Sequence, residues 1–429
     1  MAAPPGVRPR PRVFYGWYIV AAHMALHFYF SVIFIYGMGA FFRPVTAQFG
    51  WTRAQYSVAA GLQRIEGSIA SPVVGLLVDR IGSRRIVLVG VVLATIGMAL
   101  LSRMGSLWTF YTAYLVVALG MSGVVGIPFM AAAAKWFDRQ RGRAMGLMFS
   151  GATFSGLLIP VLVLAIEQLG WRMTMLISAG GILTVGLPAA FVVRDRPEPY
   201  GYLPDGDLAD EADPSAARTP GPSAAAPLPG IRVAEALRMR SFWVLTIIFG
   251  LTSMGPGAMF LHQIPYFESI GFSSTAAGTT VATFTLLSGF GRIGAGWLMD
   301  YVERRMVVIG LVTLNVVGFL VLLGVSEYWH TVVYALLFGI AFGGMIPARP
   351  ILTAAYYGTR AFGTITGLMQ SLAVVGGVAA PVLMGWVFDT TGSYRPAILA
   401  LTAVVAFAIP ITLLLPKSRA PRAAPAARP

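Results

Sequence analysis

The stretch GLLVDRIGSRR, from Gly75 to Arg85, returns as GWLMDYVERR from Gly296 to Arg305, with its glycine and its aspartate both displaced by 221 residues. The same displacement relates three further pairs: Gly50 and Gly271, Gly146-Leu147-Met148 and Gly367-Leu368-Met369, and Pro160 and Pro381. Chance matches do not keep one displacement over so much of a chain. The sequence therefore predicts two halves that repeat each other.

The composition is that of a membrane protein. Of the 429 residues, 57% are hydrophobic and 11% are charged, whereas soluble domains carry about 25% charged residues. Apolar runs recur along the chain, each long enough to cross a hydrocarbon core of about 30 Å as a helix. Only helices and closed barrels satisfy the backbone in lipid, and the period-two alternation of barrel strands is missing. The sequence predicts an all-α membrane protein.

Twelve spans are expected, six before and six after a polar segment. They lie near 14–42, 53–79, 84–103, 107–133, 143–166, 171–194, 241–267, 274–300, 305–325, 330–357, 361–388 and 394–415. The halves are then 14–194 and 241–415, and the tails are 1–13 and 416–429. Residues 195–240 are rich in Pro, Ala, Asp and Arg, a composition typical of a flexible linker.

The net charge of +14 could indicate a nucleic-acid partner. The positions of the basic residues are better explained by the membrane topology. Lys and Arg concentrate on the cytoplasmic side of short loops. With the N-terminus inside, 23 of the 31 Lys and Arg fall on the cytoplasmic side, five fall outside and three lie within spans. We expect both termini and the linker to be cytoplasmic, in a cell inner membrane, with the lipid bilayer and not nucleic acid as partner.

Cofactor and enzyme chemistry find no support in the sequence. There are no cysteines, and four scattered histidines form no metal-binding spacing. No phosphate-binding loop of the Walker type and no cluster of nucleophile, base and oxyanion donor is visible. We expect no cofactor, no structural metal and no catalytic residue.

The segment from Gly75 to Arg85 resembles the signature between helices 2 and 3 of the major facilitator superfamily. KWFDRQRGRAMGL, from Lys135 to Leu147, is similar to the helix 4 to helix 5 signature of the oxalate/formate antiporter and monocarboxylate transporter families, and HQIPYFESIGFS and GFGRIGAGWLMD fit the same group. The resemblance implies the major facilitator fold, with twelve transmembrane helices in two pseudo-symmetric six-helix bundles. It also implies a substrate held between the halves.

The signature further implies a gate at its own end of the bundle. Gly75 would let a neighbouring helix approach closely, and Asp79 with Arg80, together with Asp300 in the second copy, would control opening. Tyr301 replaces the arginine in the second copy, which predicts a weaker lock in that half.

Ionisable residues inside a span are costly in lipid and usually face a cavity or a partner. In monocarboxylate and oxalate carriers an arginine of helix 8 grips the substrate carboxylate, and Arg292 is its match. A guanidinium offers a planar fork for two carboxylate oxygens. A fixed pair between Arg292 and Glu66 is the alternative. The remaining substrate candidates are Arg349, Arg64, Gln370 and Tyr36.

Two departures from those families leave the number of substrate carboxylates open. Ser288 stands where animal monocarboxylate carriers have an aspartate. Oxalate carriers have a lysine in helix 11, where Gln370 or Ser371 must serve here.

Proton coupling has three candidates. Glu66 is the only acidic residue near the middle of any span, and an arginine partner, Arg64 or Arg292, is its alternative role. His23 and His27 are one helical turn apart and can face one cavity.

The sequence thus predicts a monomeric secondary transporter that carries a small organic anion, a monocarboxylate, by proton symport or anion exchange. A multidrug or sugar carrier of the same fold is the first alternative. A transporter-like sensor or scaffold, with the linker as its output element, is the alternative from another class.

Overall fold

A computed structural model describes residues 13–35, 37–207 and 229–417 of the chain. The tail before residue 13, Tyr36, the middle of the linker and the tail after residue 417 lie outside the described residues.

Within those ranges the chain forms twelve helical units, α1 to α12, which confirms the predicted fold class. Six are continuous: α2 (Arg53–Ile81), α3 (Ser83–Ser102), α6 (Trp171–Val192), α7 (Arg240–Ser269), α8 (Ser274–Tyr301) and α9 (Arg304–Leu323). Two more, α10 (Tyr328–Tyr357) and α11 (Phe362–Thr391), are also continuous. Four are interrupted: α1 (Gly16–Phe30, a π turn Ser31–Ile35, and Met38–Phe49), α4 (Leu107–Val124 and Ile127–Trp136), α5 (Arg141–Ser150, a 3-10 stretch Gly151–Leu158, and Ile159–Leu169) and α12 (Arg395–Ala406 and Ala408–Leu413).

Hydropathy agrees with a membrane location for these helices. In the part of the chain that is described, nine helices are long and apolar enough to cross a membrane, and ten are when the two pieces of α5, bent by 45°, count as one span. The other two long helices, α2 and α8, are 29 and 28 residues long and hold the charged residues Arg64, Glu66 and Arg292. Their length suits a span, and their polar residues need a protein or cavity environment.

The interruptions of α4 and α5 have local causes. Pro128 stands in the first turn after the break in α4, where its missing N–H and fixed φ are tolerated at a helix start. Pro160 does the same after the 3-10 stretch of α5. Gly151 begins that stretch, and a Cβ there would collide with the carbonyl oxygen of Met24 on α1. A glycine at 151 therefore lets α5 pack directly on the backbone of α1.

The two halves meet along two pairs of helices, α2 with α11 and α5 with α8. One hydrophobic core lies wholly within the first half. The other joins the second half to residues of the first, such as Val74, Ile127 and Met145. The contacts concentrate at one end of the bundle, near the loops 82, 137–140, 302–303 and 358–361, which we call the basic end.

Both described ends of the linker are packed against the helices, while the expectation of a flexible segment stays a prediction for its middle, which lies outside the described residues. The Asp205 carboxylate accepts hydrogen bonds from the backbone N–H groups of Asp138, Arg139 and Gln140 at 2.7–3.2 Å. Asp207 pairs with Arg139 at 2.8 Å, and its hydrogen bond raises the pKa of that guanidinium. A composition rich in Asp suits a loop, and here two of its carboxylates bind the loop between α4 and α5.

The far end of the linker is attached to the other half. The Pro229 carbonyl accepts a hydrogen bond from the Thr359 N–H at 2.8 Å, and Gly230 pairs with Gly358 as an isolated β-bridge. A short helix, Val233–Arg238, then leads into α7. The linker is therefore fastened to both halves at the basic end.

Candidate functional site

A central cavity of about 410 Å³ lies between the two halves. Residues of α1, α2, α4 and α5 line it from the first half, and residues of α7, α9, α10 and α11 line it from the second. Its polar lining residues are His27, Gln63, Glu66, Ser122, Thr252, Ser253, Asn315, Arg349, Thr366 and Gln370. Most of the remaining wall is apolar, with three phenylalanines and three methionines. Arg349 and Glu66 are its only charged lining residues among those described.

Arg349 supplies the cation of the central cavity. It lies on α10 between Pro347 and Pro350, and its guanidinium carbon stands 5.0 Å from the centre of the Phe249 ring. No hydrogen bond or ion pair joins the guanidinium to another described residue, and the ring stabilises its charge without using its N–H groups. Those N–H donors remain available to a ligand.

Arg292 has a different environment, although it was the first candidate for the substrate carboxylate. Its side chain is 5% exposed. Its Nη1 donates to the carbonyl oxygen of Phe149 at 2.8 Å and to Thr153 Oγ1 at 3.2 Å. Both acceptors belong to α5 of the other half. In this conformation Arg292 connects α8 to α5 through these hydrogen bonds and does not line the central cavity.

Arg64 lies in a second cavity of about 570 Å³, nearer the end opposite the basic end and lined also by Tyr56 and Tyr114. Gln63, Gly67 and Gln370 line both cavities. The two spaces are therefore neighbours, with Gln370 between them.

Of the other candidates on this side, Ser371 is engaged in helix contact, since its hydroxyl donates to the carbonyl oxygen of Ser68 on α2. Tyr36 lies outside the described residues, so its predicted role in the pocket stays a prediction.

Glu66 faces the central cavity from α2. Ser122 Oγ on α4 lies 3.3 Å and 3.5 Å from its two carboxylate oxygens and donates to them. The ion pairs found between described residues all lie at the basic end. The pairing of Glu66 with Arg64 or Arg292, which the sequence left open, is therefore not found in this part of the chain.

His23 is fully buried and joins three helices. Its Nε2 lies 2.8 Å from the carbonyl oxygen of Val125, at the break in α4, and its Nδ1 lies 3.0 Å from that of Met148 on α5. Carbonyl oxygens only accept hydrogen bonds, and a neutral imidazole has one N–H. Both contacts are hydrogen bonds only when the ring carries two protons.

His27 is one turn further along α1, and unlike His23 it lines the central cavity. The two rings meet edge to face with centroids 5.3 Å apart. The buried Nδ1 of His27 has no hydrogen-bond partner among the described residues. Of the two predicted histidines, the structure thus brings one to the cavity wall and places the other behind it.

Asp79 closes the basic end from the first half. Its carboxylate accepts hydrogen bonds from the backbone N–H groups of Gly363 and Thr364, at 3.0 Å and 2.8 Å, and from the Thr364 hydroxyl at 2.8 Å. These donors form the first turn of α11, where unsatisfied N–H groups and the helix dipole favour an anion. Gly75 permits the approach, because a Cβ there would collide with the carbonyl oxygen of Gly363.

Asp300 forms the pseudo-symmetric contact. It accepts hydrogen bonds from the N–H groups of Gly142 and Arg143, at 2.7 Å and 3.0 Å, in the first turn of α5. The Arg143 guanidinium lies 5.0 Å from the centre of the Tyr301 ring. Asp300 thus receives two hydrogen bonds where Asp79 receives three. Arg80, the other predicted gate residue, is exposed at the end of α2.

Sequence reasoning missed Asn315 and Thr366 as cavity residues. Asn315 had a readable signal, because it is the only asparagine in the 429 residues and stands within the apolar run LVTLNVVGFL. An amide at membrane depth is a candidate for function for the same reason as a charge. Thr366 had no such signal, since many spans of this chain contain threonine.

Comparison with known proteins places this geometry among membrane transporters. The family model described as Major Facilitator Superfamily matches residues 24–267 and 257–429. Monocarboxylate transporter 11 of Homo sapiens is 27% identical over 395 residues, covering 90% of this chain and 79% of that protein. Monocarboxylate transporter 12 of Rattus norvegicus is 26% identical over 352 residues, covering 77% and 71%.

Among solved structures, the major facilitator transporter FucP in the outward conformation superposes with a TM-score of 0.70 at 12% identity. The match covers 92% of this chain and 97% of that one. At this identity the likeness concerns the fold alone.

Proposed function

The chain belongs to the major facilitator superfamily, and on that premise we propose that it is a secondary active transporter of a small organic anion, a monocarboxylate. The anion would be carried by alternating access of the two halves around the central cavity, coupled to proton symport or anion exchange. That the protein is a multi-pass membrane transporter follows from its family. The identity of its substrate is the proposal.

The guanidinium of Arg349, which forms no hydrogen bond or ion pair with another described residue, carries the proposal. A cation withdrawn from water and held on an aromatic face needs an anionic partner, and a carboxylate matches its fork with two oxygens. The surrounding phenylalanines and methionines suit an organic body attached to that carboxylate. The relatives that bear the name monocarboxylate transporter support the same substrate class.

Arg292 fits the proposal as a ligand at another stage of the cycle. The two acceptors of its Nη1 lie on α5 of the opposite half, so separation of α5 from α8 would release that nitrogen beside the cavity. The resemblance to carriers with a carboxylate-binding arginine in helix 8 supports this role. Arg349 would then hold the anion while the basic end is closed.

The basic end is proposed to be cytoplasmic, on the asymmetry of 23 against five Lys and Arg. The conformation described, closed by Asp79 and Asp300, would then face away from the cytoplasm. Both termini would be cytoplasmic in a cell inner membrane, and the transporter would act as a monomer.

Proton coupling is proposed for Glu66, with His27 and His23 as the alternative carriers. Glu66 and Arg349 line the same cavity from opposite halves. A bound anion between them repels the ionised Glu66 carboxylate, so anion binding and proton uptake favour each other.

Uptake by purified protein in proteoliposomes tests the proposal. We expect saturable uptake of small monocarboxylates, with neither a neutral sugar nor a lipophilic cation taken up. A panel run with and without an inward acid gradient separates symport from exchange. Saturable uptake confined to the sugar or the cation would refute the anion assignment in favour of the sugar or multidrug carrier.

Asp79→Asn is expected to favour the state in which the basic end is open. The amide keeps the shape but loses the charge that faces the first turn of α11. Loss of about 1.5 kcal/mol of charge-assisted bonding would shift the ratio of open to closed protein about tenfold. Since the chain has no cysteine, Ser71→Cys at the interface of α2 and α11 gives a unique site whose labelling rate reports the opening.

Asp389→Asn is the matched control, because Asp389 is exposed near the far end of α11. It should leave the labelling of Ser71→Cys unchanged. Substrate affinity should stay within about threefold in Asp79→Asn, since Asp79 does not line the central cavity. Weaker binding with unchanged labelling would assign Asp79 to the binding site and not to the gate.

A further inference from the structure

Two buried polar side chains of the second half line the central cavity and have no hydrogen-bond partner for their oxygen atoms among the described residues. Asn315 on α9 is 2% exposed and Thr366 on α11 is fully buried. Asn315 Oδ1 and Thr366 Oγ1 have no hydrogen-bond partner among the described residues, and both residues line the cavity. A buried polar atom that makes no hydrogen bond is costly. Their position at the wall of a cavity indicates that a ligand supplies the missing bonds.

The contrast with other threonines is direct. The buried threonines 246, 252, 402 and 412 each donate to the carbonyl oxygen four residues earlier in their own helix, at 2.6–2.8 Å. This is the usual way in which a threonine satisfies its hydroxyl inside a membrane helix. Thr366 does not do so, and its hydroxyl is left for a partner from outside the helix.

Asn315 stands against the backbone of α7. A Cβ built on Gly255 would lie 3.5 Å from Asn315 Oδ1 and 3.0 Å from the Phe319 ring. The glycine therefore leaves the space beside the amide open. An amide has both a donor and an acceptor end, so Asn315 can bond a group that donates as well as one that accepts.

The cavity around these polar groups is wide, and aromatic and methionine side chains form much of its wall. Phe149, Phe249 and Phe342 line the cavity together with Met121, Met130 and Met345. The volume of about 410 Å³ equals the liquid volume of roughly fourteen water molecules. A two- or three-carbon acid would leave most of this volume empty, whereas an aromatic acid would occupy more of it and contact the phenylalanines of the wall.

From this arrangement we infer that the substrate is an aromatic monocarboxylate bearing a hydroxyl group, which Asn315 and Thr366 recognise while Arg349 holds the carboxylate. The inference rests on the proposed function and narrows it. A hydroxyl suits the pair because it donates to the amide oxygen of Asn315 and accepts from the hydroxyl of Thr366. The ring packs on the phenylalanines of the wall, by offset or edge contacts.

Binding of phenylacetate and of its three ring-hydroxylated isomers to purified wild-type protein tests the inference. At least one isomer is expected to bind about tenfold or more tightly than phenylacetate, because it satisfies groups that phenylacetate leaves unbonded. Equal binding of phenylacetate and all three isomers would overturn the inference and leave the proposed function standing. Failure of these acids and of every small monocarboxylate to bind would refute the proposed function itself.

Thr366→Val and Asn315→Leu then locate the recognition. Both variants keep the side-chain volume and remove the hydrogen bonds. The ratio of affinities for the preferred isomer and phenylacetate is expected to fall to within about twofold of unity. The measurement is this ratio and not the absolute affinity. A substitution that weakens the binding of both acids equally would leave the ratio unchanged.

Thr402→Val is the matched control. Thr402 is buried on α12, bonded within its own helix and absent from the cavity wall, so the wild-type ratio should persist. Thr366→Val alone decides the outcome if Asn315→Leu does not fold. A wild-type ratio retained in Thr366→Val would exclude recognition of the hydroxyl by this residue and overturn the assignment.

Discussion

Arg349→Ala is expected to abolish transport of the anion at normal expression and to weaken its binding by about a hundredfold or more. Removing one partner of a desolvated pair of charges costs about 3–5 kcal/mol, which exceeds a factor of one hundred. Arg349→Lys keeps the charge but loses the planar fork and the stacking on Phe249, so its affinity should fall by about tenfold. Equilibrium binding to purified protein measures both effects.

The same binding measurement decides whether Arg349 or Arg292 anchors the anion. If Arg292 anchors the anion in the state that binds it, Arg349→Ala would keep its affinity and Arg292→Ala would lose it. If Arg349 is the anchor, Arg292→Ala would instead disturb the contact between α8 and α5 that it makes through Phe149 and Thr153. Labelling of Ser71→Cys reports that disturbance independently of affinity. Arg64→Ala, in the second cavity, serves as the control cation.

Glu66→Gln is expected to abolish accumulation driven by a pH gradient while exchange of substrate against substrate continues. Glutamine keeps the length of the side chain and an oxygen that accepts from Ser122 Oγ, as Glu66 does at 3.3 Å. It can neither gain nor lose a proton. If Glu66 is the proton carrier, a gradient then has no group in the cavity through which to act, whereas exchange needs no net proton movement.

Measurements of accumulation and of counterflow in the same proteoliposomes test this result. Intact gradient-driven accumulation in Glu66→Gln would exclude this residue and transfer the role to His27 or His23. His27→Gln is then the informative variant, since His27 lines the cavity. Loss of both modes in Glu66→Gln would indicate a structural role, such as support of α4 through Ser122.

The contacts of the two aspartates at the basic end follow the internal repeat of the sequence. The displacement of 221 residues that relates Asp79 to Asp300 also relates Gly363 and Thr364 to Gly142 and Arg143. Asp79, in the first half, accepts hydrogen bonds from the start of α11 in the second half. Asp300, in the second half, accepts hydrogen bonds from the start of α5 in the first half. The sequence predicted the two aspartates as gate residues. Which backbone N–H groups the two aspartates bind depends on how the helices pack.

The arginines show where the sequence argument ended. Arg64, Arg292 and Arg349 were all recognisable as charges within spans. Only Arg349 lines the central cavity, while Arg64 lies in the second cavity and Arg292 binds α5. Successive residues of a helix differ by about 100° in direction, and the spans are apolar on most sides, so their sequence does not mark which face meets the other half.

The sequence by itself determined the number of helices, the two repeated halves, the family and the residues that are too polar for lipid. These properties depend on the hydropathy of contiguous segments, on short motifs and on a repeat along the chain, none of which requires knowledge of how the helices pack. The tertiary structure alone decided that Arg349, Glu66, His27, Asn315 and Thr366 share one cavity. That grouping depends on how five helices, distant in sequence, are rotated and packed against one another, because packing contacts and not hydropathy set the rotation of a helix in a membrane.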